Sequence, residues 1–248
     1  MSDIHTSESV ITSPQGDYDA LSSVSPETPC PYLPDRLSRS EAYYVEHLHG
    51  SMYERLLARG FRRSGRIVYR PRCRQCRECR SLRIRTADFS PTKSMRRVQR
   101  RNADVRVTID PKPTATPDKF TLYQRYLDSQ HDDTMDRSCE TFKEFLYDSP
   151  TDTCEFRYEL GDRLIGVSLL DRWAGGMSSV YMYFDPDFAA RSLGTYSVLF
   201  EIDYCRSEGI PYYYLGYHVA GSRTMAYKAR FRPHELLVGD DHWLTIPA

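Results

Sequence analysis

Three cysteines in the run Cys73-Arg-Gln-Cys76-Arg-Glu-Cys79, with a fourth upstream in Cys30-Pro-Tyr-Leu-Pro-Asp-Arg36, constrain this chain more than any other feature. Two successive Cys-x-x-Cys steps plus a further sulfur satisfy a tetrahedral four-thiolate zinc site, and the same thiolates hold an iron–sulfur cluster. The spacing does not choose between zinc and iron, and four reduced, unliganded thiols are the third alternative. The flanking segments Phe61 to Arg70 and Leu82 to Phe89 alternate apolar and basic residues, so they read as a strand pair joined by the cysteine turn.

The same region is the most basic in the molecule. From Arg62 to Arg106 almost every third residue is Arg or Lys, opposed only by Glu78, Asp88 and Asp104, although the whole chain carries a formal charge of zero. Such asymmetry points to a polyanionic partner for that half, with nucleic acid the leading class. A length of 248 residues, 40% hydrophobic content and 19 tyrosines suffice for a packed core in one large or two small domains. No apolar run is long enough to span a bilayer and the first residues lack the regions of a signal peptide, so no membrane partner and a cytoplasmic location are expected. Seven cysteines in such a compartment are expected to be reduced thiols or metal ligands. Cys139, Cys154 and Cys205 are dispersed and read as small buried hydrophobes.

Residues 1–29 are rich in Ser, Thr, Pro and Asp and read as a disordered tail. A cysteine-rich basic α/β part is expected over 30–109, and a second domain over 110–248. Tyr53, Leu56 and Leu57 keep helical spacing and Gly60 closes that helix. Lys93 to Asn102 reads as a short helix with Met95 and Val98 on its apolar side, Asp104 to Ile109 as a strand, and Pro111 to Pro117 as a loop. Helices follow over Thr121 to Gln130 and Thr141 to Tyr147. Then come three strands, Glu155 to Leu160, Leu164 to Asp171 and Val180 to Phe184, as an antiparallel meander. A helix over Leu193 to Arg206 and a strand over Pro211 to Leu215 complete the series. Meander, helix, strand is the order of the acetyltransferase-like (GNAT-type) fold, so the expected class is α+β.

Longer segments carry a resemblance. Tyr181-Met-Tyr-Phe-Asp-Pro186, Arg191-Ser-Leu-Gly-Thr-Tyr196, Tyr214-Leu-Gly-Tyr217 and Ser222-Arg-Thr-Met-Ala-Tyr-Lys-Ala-Arg-Phe-Arg-Pro233 resemble the bacterial aspartate/glutamate leucyltransferases, which belong with the arginyl-tRNA–protein transferases. In the front half Cys30 to Arg36, Leu56 to Arg63, Tyr69 to Cys73 and Arg96 to Asn102 match as well. What the resemblance implies is transfer of leucine from leucyl-tRNA to the α-amine of proteins beginning with Asp or Glu, which marks them for N-degron proteolysis. Arginyl-tRNA as donor, and a coenzyme A-dependent acetyltransferase, are the alternatives. The chain departs from the pattern at Gln130-His131-Asp132-Asp133, where relatives tend to carry an Arg-His pair.

An aminoacyl ester is already activated, so positioning can supply most of the rate and no strong nucleophile or cofactor is required. Arg96, Arg97, Arg100 and Arg101 are the first candidates for tRNA phosphates, with Arg62, Arg63, Arg66 and Arg70 as lesser ones. Arg191 and Gly194 open a helix whose start resembles an anion-binding turn. Lys228, Arg230 and Arg232, alternating as on one face of an extended segment and assisted by Arg223, are candidates for the acceptor's carboxylate. Tyr181 and Tyr183 are candidates for the aminoacyl pocket, and Asp185 and Tyr217 for the catalytic centre.

Overall fold

The computed structural model describes residues 23–130, 136–239 and 241–248. It opens with short strands β1 (Ser23–Val24), β2 (Thr28–Pro29) and β3 (Leu37–Ser38), followed by β4 (Ser40–Tyr44). β2 and β3 pair antiparallel and close the Cys30–Arg36 loop, in which Cys30 N–H donates to Arg36 O at 2.9 Å. Among the described residues Ser23 and Val24 are already paired with β4, ahead of the expected start at Cys30; residues 1–22 of the expected tail lie outside those described.

Helix α1 (Gly50–Ala58) buries Tyr53, Leu56 and Leu57, one helical stripe, and ends where Gly60 takes a φ of +83°. β5 (Arg62–Ser64) and β6 (Ile67–Pro71) form a hairpin and complete a four-stranded sheet in the order β1-β4-β6-β5. The cysteine segment then leads to β7 (Arg80–Arg85), which lies in another sheet. The expected hairpin across the cysteines is thus corrected: that segment is a crossover between sheets. Alternation told of two strands but not of their partners, and β7 finds hydrogen-bonding neighbours on both sides in the larger sheet.

That sheet is assembled from the rest of the chain. Helix α2 (Lys93–Arg101) starts at Thr92, whose hydroxyl accepts from Met95 N–H, and precedes β8 (Arg106–Asp110). Helices α3 (Pro117–Gln130) and α4 (Cys139–Leu146) follow, each starting a few residues earlier than its apolar spacing indicated, because Pro117 and the Ser138 cap extend the first turns. Next come β9 (Thr153–Leu160), β10 (Arg163–Trp173), β11 (Gly176–Phe184), a 3-10 helix over Pro186–Arg191, α5 (Leu193–Ser207) and β12 (Tyr212–His218). A second 3-10 helix, Ala226–Arg230, leads to the hairpin β13 (His234–Gly239) and β14 (His242–Ile246), two strands not anticipated.

The eight strands run β14-β13-β7-β12-β11-β10-β9-β8, all antiparallel except the pair β11 and β12, which the α5 crossover makes parallel. The class is α+β with one large mixed sheet. Because β7 and β8 belong to it, the sheet draws strands from both sides of the division expected at residues 109/110. α3 and α4 cover one face, where Leu122, Tyr123, Phe142 and Leu146 meet Val167, Leu169 and Tyr183. α5 and α2 cover the other, with Leu193, Leu199 and Ile202 against Phe156, Leu170 and Tyr213. No described helix is long and apolar enough to cross a membrane.

Candidate active site between the parted strands

Parallel pairing of β11 and β12 covers Met177 with Tyr213 and Ser178 with Tyr214, and then stops. Beyond that point β11 stays paired to β10, while β12 bulges between Tyr214 and Gly216 and stays paired to β7. The two facing edges are therefore left without each other in the middle of the sheet. Carbonyls exposed in such a place require donors.

Two cations supply them. Arg62 on β5 donates through Nη2 to Ser179 O, and Lys228 in the second 3-10 helix donates through Nζ to Tyr217 O at 3.0 Å. Gly216 lies between, at φ +97°; a Cβ there would meet Lys228 Nζ at 3.1 Å and Arg62 Nη2 at 3.5 Å, so both backbone angle and space demand glycine. Arg62 and Lys228 are each only 8% exposed, and among the described residues neither ion-pairs with a carboxylate. Burial, and then the charge of Arg62, pushes the Lys228 amine down from 10.5 to about 7.

The surroundings hold this pair in place. Tyr217 donates to Gly60 O at 2.7 Å, tying β12 to the end of α1, and burial holds its phenol protonated far above the ordinary value. Arg63, next to Arg62 but on the opposite face of β5, makes a buried bidentate pair with Asp171 of β10, Nε to Oδ2 and Nη2 to Oδ1 each at 2.7 Å. Tyr53 and Thr153 donate to the same carboxylate at 2.8 and 2.6 Å. Over the outside lies the Cys30–Arg36 loop. Leu33 Cδ2 would stand 2.9 Å from a Cβ on Gly221, and the Tyr32 phenol feels the charge of Arg62.

Of the expected acceptor cations, only Lys228 points inward; Arg223, Arg230 and Arg232 are exposed, and Arg232 turns to Ala229 O and Pro247 O. The reason is conformational. A 3-10 turn advances about 120° per residue, so residues two apart do not share a face as they would in the extended segment expected there.

Asp185 is buried, with its carboxylate held by Arg125 at 2.9 and 3.1 Å and by Arg163 at 2.6 Å, while Asp187 N–H donates to it at 3.1 Å. Four donors leave no free lone pair for the proton-accepting role expected of it; it caps the 3-10 helix and anchors α3. Tyr181 and Tyr183 sit in the aromatic layer under α3 and α4, where Tyr183 bonds Tyr147 at 3.0 Å and is fully buried. Tyr181, whose hydroxyl has no hydrogen-bond partner among the described residues, packs on Phe145 with centroids 5.2 Å apart. The helices that close this face place both rings in the core. His131, with the rest of the departing Asp132-Asp133 segment, lies outside the described residues.

On α2, Arg96, Arg97, Arg100 and Arg101 are all exposed. Arg96 and Arg101 turn to the carbonyls of Pro91 and Ala190, while Arg97 and Arg100 meet no carboxylate among the described residues. Arg191 grips Asp104 at 2.7 and 3.0 Å, so its charge is compensated, and Gly194 stands in the first turn of α5 with only Phe184 near its Cα side. Arg66 pairs with Asp148, and Arg70 with Glu41.

The cysteine crossover lines an open depression of about 430 Å³ whose rim includes Arg59, Arg72, Arg77 and Arg80. Burial, and then the nearby thiols of Cys30, Cys73 and Cys76, pushes the Cys79 thiol up to about 12. The four sulfurs thus gather in one place, but among the described residues no three His, Cys, Asp or Glu side chains form a group able to hold a metal ion. Cys76 Sγ accepts from Arg36 Nη1 at 3.3 Å and Cys73 Sγ reaches Arg39 O at 3.8 Å, so the sulfurs turn to separate partners.

Arg62, Arg125 and Arg163 are the residues that sequence reasoning misplaced or passed over. Adjacent Arg62 and Arg63 looked like exposed strand positions; both are buried because β5 is covered on both faces, which nothing in the local pattern signals.

The family model described as the N terminus of arginine-tRNA-protein transferase matches residues 28–97, and that described as its C terminus matches residues 118–238. An aspartate/glutamate leucyltransferase of Hahella chejuensis is 36% identical over 227 residues, 90% of this chain and 95% of that protein. One of Cereibacter sphaeroides is 41% identical over 226 residues, 88% and 80% respectively. Among solved structures, L-PGS from Bacillus licheniformis aligns with a TM-score of 0.45 at 9% identity, over 71% of this chain and 51% of that one.

Proposed function

Because the chain belongs to the arginine-tRNA-protein transferase family, we propose that it transfers leucine from leucyl-tRNA to the α-amine of proteins beginning with Asp or Glu. The product carries a destabilising first residue and is directed to proteolysis. The observation that carries this reading is the opening between β11 and β12, where β5 of the basic front half and the second 3-10 helix of the rear half contribute one buried cation each. Antiparallel β9-β10-β11, the α5 crossover and a parallel β12 support the acetyltransferase-like arrangement, in which parted strands receive an acyl carbonyl.

The chemistry asks little of the protein. A protein α-amine titrates near 7.7 to 8.0, so roughly a tenth or more is neutral at pH 7 and attacks the ester carbonyl directly; the tRNA 3′ oxygen leaves and takes up a proton. Holding ester and amine together is worth up to about 7 to 11 kcal/mol. Arg97 and Arg100, with exposed Arg59, Arg77 and Arg80 around the cysteine depression, are the cations assigned to tRNA phosphates, and the start of α5 at Gly194 is the candidate for the 3′ end. The reaction belongs in the cytoplasm, where charged tRNA and new protein termini coexist.

The test is transfer of labelled amino acid from leucyl- and arginyl-tRNA, in parallel, to peptides beginning with Asp, Glu or Lys. Label from leucyl-tRNA on the Asp and Glu peptides is expected. Label from arginyl-tRNA alone would change the donor, and none from either would end the reading.

A further inference from the structure

Charge in the site is out of balance. Arg62 and Lys228 are buried side by side, each neutralised only by a backbone carbonyl dipole, and no carboxylate contacts either among the described residues. Elsewhere the molecule does not tolerate this: buried Arg63 has Asp171, buried Arg70 has Glu41, and buried Lys119 has Glu155 at 2.6 Å. A buried cation without a counter-charge is costly, and that cost is relieved when a ligand brings the missing anion.

We propose that Arg62 and Lys228 together form the socket for the side-chain carboxylate of the acceptor's first residue, with Arg62 the specificity-determining residue contributed by the front half of the chain. This rests on the transferase reading above and names the acceptor subsite within it. Two positive heads flank Gly216, so a carboxylate entering along the parted edges can set one oxygen on Arg62 Nη2 and the other on Lys228 Nζ. A carboxylate fits better than a phosphodiester. The pair is buried, each cation only 8% exposed, whereas a nucleic-acid backbone needs an open track of exposed cations, which Arg97, Arg100 and the rim of the cysteine depression supply. The neighbouring loop is closed by the β2–β3 pair and the Cys30–Arg36 hydrogen bond, and Arg36 ties it to Cys76 Sγ at 3.3 Å. Arg223, Arg230 and Arg232, all exposed, are left outside it.

The test compares kcat/KM for leucyl transfer to matched peptides beginning with Glu and with Gln, in wild type, Arg62→Gln, Arg62→Lys and Lys228→Met, each checked for folding by circular dichroism. Loss of one charge-assisted hydrogen bond should lower the Glu-over-Gln preference about ten- to hundredfold in Arg62→Gln and in Lys228→Met. Arg62→Lys should restore part of it, which a merely structural role would not do. An unchanged preference in folded variants overturns the socket while leaving the transferase reading intact, since wild type still makes product. Preserved preference with weakened retention of leucyl-tRNA also overturns it, assigning the pair to nucleic acid. Should the variants not fold, calorimetry on wild type decides: Glu-initiated peptide must bind more tightly than its Gln counterpart without tRNA, and equal binding refutes the proposal.

Discussion

Replacing Lys228 by Met should flatten a slope in the pH dependence of stability that wild type must show. The amine titrates near 7 in the folded protein and near 10.5 in an open chain, so between those values the unfolded state binds more protons and stability rises with pH. Below pH 7 the folded protein carries the full cost of a buried ammonium, up to about 5 kcal/mol; toward pH 10.5 that cost disappears. The groups facing Lys228 do not confuse the window. Burial holds Tyr217 of β12 protonated well above it, and burial with the charges of Lys228 and Arg80 holds His218 below its usual value, outside the window on the acid side. Urea unfolding of both proteins from about pH 6.5 to about pH 9.5 should find the variant's advantage shrinking by about 3 kcal/mol, since the Tyr217 hydrogen bond it also loses is constant with pH. Parallel curves would show that the amine is not desolvated, and the unpaired-cation argument would go with it.

Asp171→Asn should cost about 3 to 5 kcal/mol in the same assay by leaving Arg63 buried without a counter-charge; a loss under about 1 kcal/mol would mean that water reaches the pair. In filter-binding titrations against salt, Arg97→Glu and Arg100→Glu should each weaken leucyl-tRNA retention and lower the slope of log affinity on log salt by about one, while Arg191→Gln, already paired with Asp104, should change it less. Timed alkylation read by peptide mass should label exposed Cys139 first and fully buried Cys154 and Cys205 last, with half-buried Cys79 slow because burial and the neighbouring thiols hold it protonated; Cys79 labelling as early as Cys139 would contradict the packing of the cysteine crossover.

What could be read from the chain and what could not divide along a physical line. Tyr53, Leu56 and Leu57 announce α1, and Gly161 with Asp162 the β9–β10 turn, because each signal is carried by residues a few positions apart whose spacing is the geometry itself. The cysteine crossover misled for the opposite reason. Strand alternation fixes which side chains share a face but not which neighbour completes the ladder, and β7 pairs with β12 and β13, more than a hundred residues later. The acceptor cations failed on a finer point: Lys228 and Arg230 sit two apart, which means one face in a strand and different faces in a 3-10 turn, so an error of local conformation reversed which charge is inside. Arg62 was hidden most thoroughly. Its importance comes from there being no carboxylate paired with it among the described residues, and a missing contact between β5, β11 and the 3-10 helix is a property only of the folded arrangement. Function in this molecule is concentrated where local rules are broken: a glycine at φ +97°, a parallel pair that stops after two residues, and two buried charges of one sign. Each is costly alone, and an acidic peptide terminus entering between β11 and β12 would satisfy the charges and occupy the gap at once.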